Sequence, residues 1–169
     1  MKTVNLAILV DNTPGVLTRV SGLIARRDFN IESISAGYTE EESVTRINIE
    51  VSVKDDHELD MIVRQLGKLV DVINIVNLGK VESIIRELVL LKVKADLDSL
   101  GKIRNIVDIF RGKIVDISPE NVVIELTGDQ GKVEAIISML DEFEIIEIAR
   151  TGAIALSRGP VPVKRMEQE

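Results

Sequence analysis

Apolar residues occupy every second position over Val4, Leu6, Ile8 and Val10, the period of a strand with one buried face. The period then changes. Val16, Leu17, Val20, Leu23 and Ile24 recur at helical spacing, with Arg19, Arg26 and Arg27 turned away or snorkelling. Phe29-Asn30-Ile31 opens a second strand running toward Gly37. Its step from Ile31 to Ile34 breaks strict alternation, which predicts a bulge near Ser33. Thr39 to Ser43 reads as a polar hairpin tip with solvated glutamates. Alternation returns with Ile47, Ile49, Val51 and Val53 facing in, and Arg46, Asn48, Glu50 and Ser52 facing water or a partner. Asp55 and Asp56 cap a second helix carrying Leu59, Ile62, Val63, Leu66 and Leu69, and a fourth strand spans about Val72 to Leu78.

The same plan then recurs. Leu6, Ile8 and Val10 map onto Val89, Leu91 and Val93 at an offset of 83, and Ile31, Ile34 and Ser35 map onto Ile114, Ile117 and Ser118. After a shorter hairpin an offset of 75 takes Ile47, Ile49 and Val51 to Val122, Ile124 and Leu126. An offset of 74 takes Leu59, Ile62, Val63 and Leu66 to Val133, Ile136, Ile137 and Leu140. The pattern predicts an α+β protein of two tandem ferredoxin-like βαββαβ domains. Residues 1–79 form the first, 80–86 a connector, and 87–169 the second with its tail. In such a unit both helices land on one face of an antiparallel sheet. The other face and two strand edges are left over, and a core this small gains from pairing, so a homodimer is expected. The tail holds a short apolar stretch, Ala153 to Leu156, then Pro160 and Pro162, and its last residues are expected to be disordered.

Composition narrows the function classes. With 21 basic and 28 acidic residues the net charge is −7, and aromatics are limited to one Tyr and three Phe. Nucleic acid calls for basic grooves and stacking faces, and an anionic membrane for basic patches; neither is expected as a partner. No apolar run reaches the ~18 residues of a membrane span. Cysteine is absent, which removes disulfides and thiol chemistry and fits a reducing, cytoplasmic setting. The only histidine, His57, sits among Asp55, Asp56 and Glu58 and reads as a surface residue. No nucleophile elbow, glycine-rich phosphate loop or metal-ligand spacing occurs, so no catalytic residue, metal or cofactor is expected in this chain.

Binding at a strand-to-helix turn remains. Thr13 suits an N-cap and Pro14 the first helical position. Gly15 bares the backbone of the first turn, where unpaired N–H groups and the helix dipole favour a small anion such as an amino-acid carboxylate. The same residues also suit an ordinary capped helix start. Asn30 offers an amide donor and acceptor to a zwitterion, or satisfies its own turn. The matching second-half turn, Ala95 to Leu100, lacks Pro-Gly and carries Asp96 and Asp98, which would repel a carboxylate.

Asn12-Thr13-Pro14-Gly15-Val16-Leu17 and Phe29-Asn30-Ile31-Glu32-Ser33 resemble an ACT domain, an amino-acid-sensing βαββαβ module. Three further segments resemble one family: Gln65 to Val72, Phe110-Arg111-Gly112-Lys113-Ile114-Val115-Asp116, and Arg150-Thr151-Gly152 followed by Ala155-Leu156-Ser157-Arg158-Gly159. That family is the small regulatory subunit of acetolactate (acetohydroxyacid) synthase. The resemblance implies a non-catalytic chain that binds and activates a large catalytic subunit carrying thiamine diphosphate, magnesium and FAD. It also implies feedback inhibition by valine in branched-chain amino-acid biosynthesis, with the effector between two ACT domains of a dimer. Carried over residue by residue, Asn12, Gly15, Val16 and Leu17 come from one chain and Asn30 and Ile31 from the other. These residues do not separate valine from leucine or isoleucine. The alternative is an ACT-type sensor serving another enzyme or regulator.

Overall fold

The computed structural model describes residues 2–160 and Val163. Two compact units emerge. One gathers the chain up to Ile84 together with the segment from Ala153, and the other is Ile85–Gly152. The first contains β1 (Lys2–Asp11), α1 (Val16–Ala25), β2 (Ile31–Tyr38), β3 (Val44–Val53), α2 (Asp56–Leu66) and β4 (Val72–Asn77). Its sheet runs β2-β3-β1-β4, antiparallel throughout. The alternating residues of β1 and β3 meet Val16, Val20 and Ile24 of α1 and Leu59, Ile62 and Leu66 of α2 in one aliphatic core. Asp55 caps α2 as expected, its carboxylate accepting the Glu58 N–H at 2.9 Å. The bulge foreseen near Ser33 is present, as a register shift between Ile31 and Ser33 against β3.

The second unit repeats the plan. It holds most of β5 (Ser83–Lys94), then α3 (Leu100–Ile109), β6 (Lys113–Ile117), β7 (Asn121–Gly128), α4 (Gln130–Leu140) and β8 (Ile145–Arg150), with sheet order β6-β7-β5-β8. Asp129 caps α4 in the same way, accepting the Lys132 N–H at 2.9 Å. Val89, Leu91, Val93, Ile103, Val107, Val133, Ile136 and Leu140 line the core.

Three expectations are revised. The third strands correspond differently from the sequence offset: Leu6 faces Ile49, whereas its counterpart Val89 faces Leu126. Ile49 therefore matches Leu126, two residues beyond the expected Ile124. A two-residue slip keeps every side chain on its own face, so alternation is blind to it. Next, β5 starts at Ser83, inside the expected 80–86 connector. Finally, the described residues from Ala153 cluster with the first unit and not with an 87–169 domain. Their short strand, β9 (Ile154–Ser157), pairs with β5, and its segment also meets side chains of β2 and β3. There Arg46 Nη2 donates to the Ala155 carbonyl at 2.6 Å and Ser33 Oγ accepts the Ala153 N–H at 3.4 Å. The face of β3 expected to meet water or a partner is reached by the chain's own return segment, and Asn48 is buried. The expected disorder of the final residues concerns positions outside those described.

Candidate functional site

The turn from β1 into α1 is pinned on three sides. The Asp11 N–H donates to the Asp71 carbonyl at 2.8 Å, and the Asn12 N–H to the Ser43 carbonyl at 2.8 Å. The Asn12 side chain donates to the Glu42 carbonyl at 3.1 Å and accepts from Thr45 Oγ1 at 3.2 Å. Asn12 therefore ties the turn to the β2–β3 hairpin. Thr13 does not cap the helix, and Pro14 is not its first residue. Gly15 takes the cap position in the left-handed conformation, at φ 82°, and α1 begins at Val16. That conformation favours glycine, and a side chain there would also bring Cβ to 3.1 Å from Arg19 Nη1.

The turn leaves donors free. Among the described residues no acceptor pairs with the amides of Gly15, Leu17 or Thr18, and the Val16 amide makes only a long 3.3 Å bond to the Thr13 carbonyl. Asn12, Gly15 and Leu17 are exposed, but the Val16 side chain belongs to the core. Val16 therefore has its backbone, not its isopropyl group, to offer a ligand.

Behind the turn lies a group that the sequence pattern missed. Arg19 donates to Asp71 through Nε at 2.7 Å and Nη2 at 2.8 Å, and Thr13 Oγ1 donates to Asp71 at 3.1 Å. Hydrogen bonding from Arg19 holds the Asp71 carboxyl below its ordinary range. The helical wheel turned Arg19 outward correctly but cannot show a partner 52 residues away.

Asn30 and Ile31 stand elsewhere. The Asn30 carbonyl accepts from the Ser52 N–H at 3.3 Å, and its side-chain amide donates to Glu32 at 2.7 Å. The Glu32 carboxyl also accepts from Ser52 Oγ at 2.8 Å, and these two bonds, Ser52 first, hold it below the ordinary carboxyl range. Along β3 the two halves of the candidate site lie nine residues apart, Ser43 to Ser52, or roughly 30 Å of extended strand. One chain does not bring them together.

The second unit shows what such a turn holds. The framework is the same: the Lys94 N–H donates to the Glu144 carbonyl and the Ala95 N–H to the Glu120 carbonyl, counterparts of the Asp11 and Asn12 bonds. In it the Asp96 carboxylate, at the position of Thr13, accepts the Asp98 N–H at 3.1 Å and the Ser99 N–H at 2.8 Å. Asp98 and Ser99 are the counterparts of Gly15 and Val16. Beyond repelling an acid, this turn already contains one.

Residues 6–74 match the family described as AHAS small subunit-like ACT domain, and residues 86–159 the family described as small subunit of acetolactate synthase. The acetolactate synthase small subunit of Mycobacterium bovis is 46% identical over 159 residues, 94% of each chain. The chain belongs to the acetolactate synthase small subunit family. Its Haemophilus influenzae relative is 46% identical over 155 residues, covering 91% of this chain and 94% of that one. The crystal structure of the acetolactate synthase small subunit from Thermotoga maritima superposes with a TM-score of 0.85 at 40% identity, covering 95% of this chain and all of the other. The Gly15 turn and Asn30 both fall inside the ACT match, and the return segment Ala153–Ser157 inside the small-subunit match. No helix among the described residues is long and apolar enough to cross a membrane.

Proposed function

We propose that this chain is the regulatory subunit of acetolactate synthase. It has no catalysis of its own. It binds and activates a large catalytic subunit, which carries thiamine diphosphate, magnesium and FAD and joins pyruvate to pyruvate or 2-oxobutyrate. It makes that enzyme subject to feedback inhibition by valine, and so controls branched-chain amino-acid synthesis in the cytoplasm. Family membership and the ACT match support the regulatory role. The effector reading rests on the carboxylate of Asp96 seated on the second unit's equivalents of Gly15 and Val16. In the first unit the Gly15 amide has no acceptor among the described residues and the Val16 amide only a long bond to the Thr13 carbonyl, which suits them to a carboxylate from outside, with the helix dipole adding to the attraction.

The site needs two chains. A homodimer with two-fold symmetry would place the Asn12–Leu17 turn of one protomer against Asn30 and Ile31 of its partner, and does so twice. The roughly 30 Å between these elements within one chain is what such an arrangement uses. Valine's carboxylate would take the Gly15 turn, its ammonium the Asn30 amide oxygen or backbone carbonyls, and its isopropyl group Leu17 and Ile31. Valine then shifts the balance between arrangements of the paired sheets by its difference in affinity for them, typically ~1–3 kcal/mol.

The test is acetolactate formation by the cognate catalytic subunit, with and without this chain, each with and without valine. A rate raised by the chain and lowered again by valine is expected. A raised rate that ignores valine would leave the regulatory subunit and remove the effector. No change in either would leave an ACT sensor with another partner.

A further inference from the structure

The return segment is held by side chains of the two strands that follow the Asn30 end of the candidate site. Ser33 lies at the bulge of β2, three residues after Asn30, where the register against β3 shifts. Its Oγ donates to Glu50 at 2.8 Å and accepts the Ala153 N–H. On β3, Arg46 donates through Nη2 to the Ala155 carbonyl and through Nε to Asn48 at 3.3 Å. The segment's inward side chains are small: Ala153 and Ala155 are 9% and 5% exposed. Small side chains let a backbone approach a sheet closely enough for such bonds. Just before Ala153 stands Gly152 at φ 77°, the last residue of the second unit. Farther on, the Arg158 N–H donates to the Glu82 carbonyl at 2.7 Å, fixing the other end of the segment within the first unit.

We propose that Ala153–Ser157 is a strap that passes the state of the effector site to the chain leaving the second unit, with Ser33 and Arg46 as the side chains that tie it to β2 and β3. This rests on the valine reading above. A bulge is the place in a strand where a small displacement changes the direction of a side chain. An effector that fixes Asn30 and Ile31 fixes the approach to Ser33, and through it the Ala153 end of the strap. Arg46 holds the strap to the sheet so that the displacement is not lost as slack. The two side-chain bonds from β2 and β3 both go to backbone groups of the strap, beside the pairing of β9 with β5.

The test separates binding from response. Arg46→Met and Ser33→Ala are made in the full chain and assayed with the catalytic subunit. Valine binding by calorimetry is expected within about threefold of the parent, with activation in the absence of valine within about twofold. The valine concentration for half-inhibition is expected to rise at least tenfold, or the maximal inhibition to fall by half or more. Hydrogen exchange of a peptide spanning residues 150–160 is expected to change on adding valine to the parent chain and not to the variants. Unchanged inhibition in both variants with binding intact overturns the strap alone. Loss of inhibition in strict proportion to loss of binding makes these residues part of the ligand site and also overturns it. If the parent chain binds no valine, the effector reading and the strap fall together. Should Arg46→Met fail to fold, Ser33→Ala decides.

Discussion

At the scale of single residues, the proposed effector turn depends on Gly15 and on the pair behind it. Gly15→Asp introduces a carboxylate beside the Gly15 and Val16 amides and within reach of Arg19, a self-occupied turn like that of Asp96. We expect it to abolish the valine response while activation persists; a normal response would place the site elsewhere. The left-handed backbone at φ 82° makes any side chain here strained, and Asp tolerates that conformation better than most residues. The Arg19–Asp71 pair gives a pH signature. The folded Asp71 carboxyl titrates below its ordinary value of about 3.9. Its stabilisation is therefore fully present above that value and is lost as pH falls through the lowered folded value. Asp71→Asn should be less stable than the parent at pH 7, with the difference closing in acid, as read from urea unfolding at several pH values. Sequence reading found Gly15 through its place beside Pro14. It misplaced Val16, because a residue at a helix start points either to ligand or to core depending on the roll of the helix.

At the scale of elements, the helices were legible because their signals are local. Asp55 and Asp129 cap α2 and α4 through the same bond to the residue three positions on. Replacing either by Ala should cost about 1 kcal/mol of stability in its own unit. Followed by hydrogen exchange, Asp55→Ala should raise exchange in residues 56–66 and spare 130–140, and Asp129→Ala should do the reverse. Equal loosening of both helices by either variant would show that the two units unfold as one. The α1 start was less legible. Thr13 and Pro14 have the chemistry of a cap and first turn, but Thr13 turns to Asp71, and the left-handed Gly15 moves the helix start to Val16. The long-range partner outcompeted the local cap.

At the scale of the whole molecule, a two-chain site makes a prediction that a one-chain site does not. Asn30→Ala should weaken valine by about tenfold, the ~1.4 kcal/mol of one lost hydrogen bond, without dissociating the dimer. Mixed with Gly15→Asp and allowed to exchange protomers, it should regain response. Each mixed dimer carries one site with both defects and one with neither, so roughly a quarter of all sites return to parental affinity. Absence of rescue on complete exchange would put turn and Asn30 on the same chain. The sequence by itself determined what is periodic or local: two βαββαβ units, their core faces, the bulge at Ser33 and the capping Asp55. Tertiary structure decided what depends on contacts between residues distant in sequence. The third strands slip by two residues, which a period of two conceals. Arg19 meets Asp71. The segment from Ala153 returns to the first unit, because backbone carbonyls and small alanines carry no pattern that names the strand they will lie against.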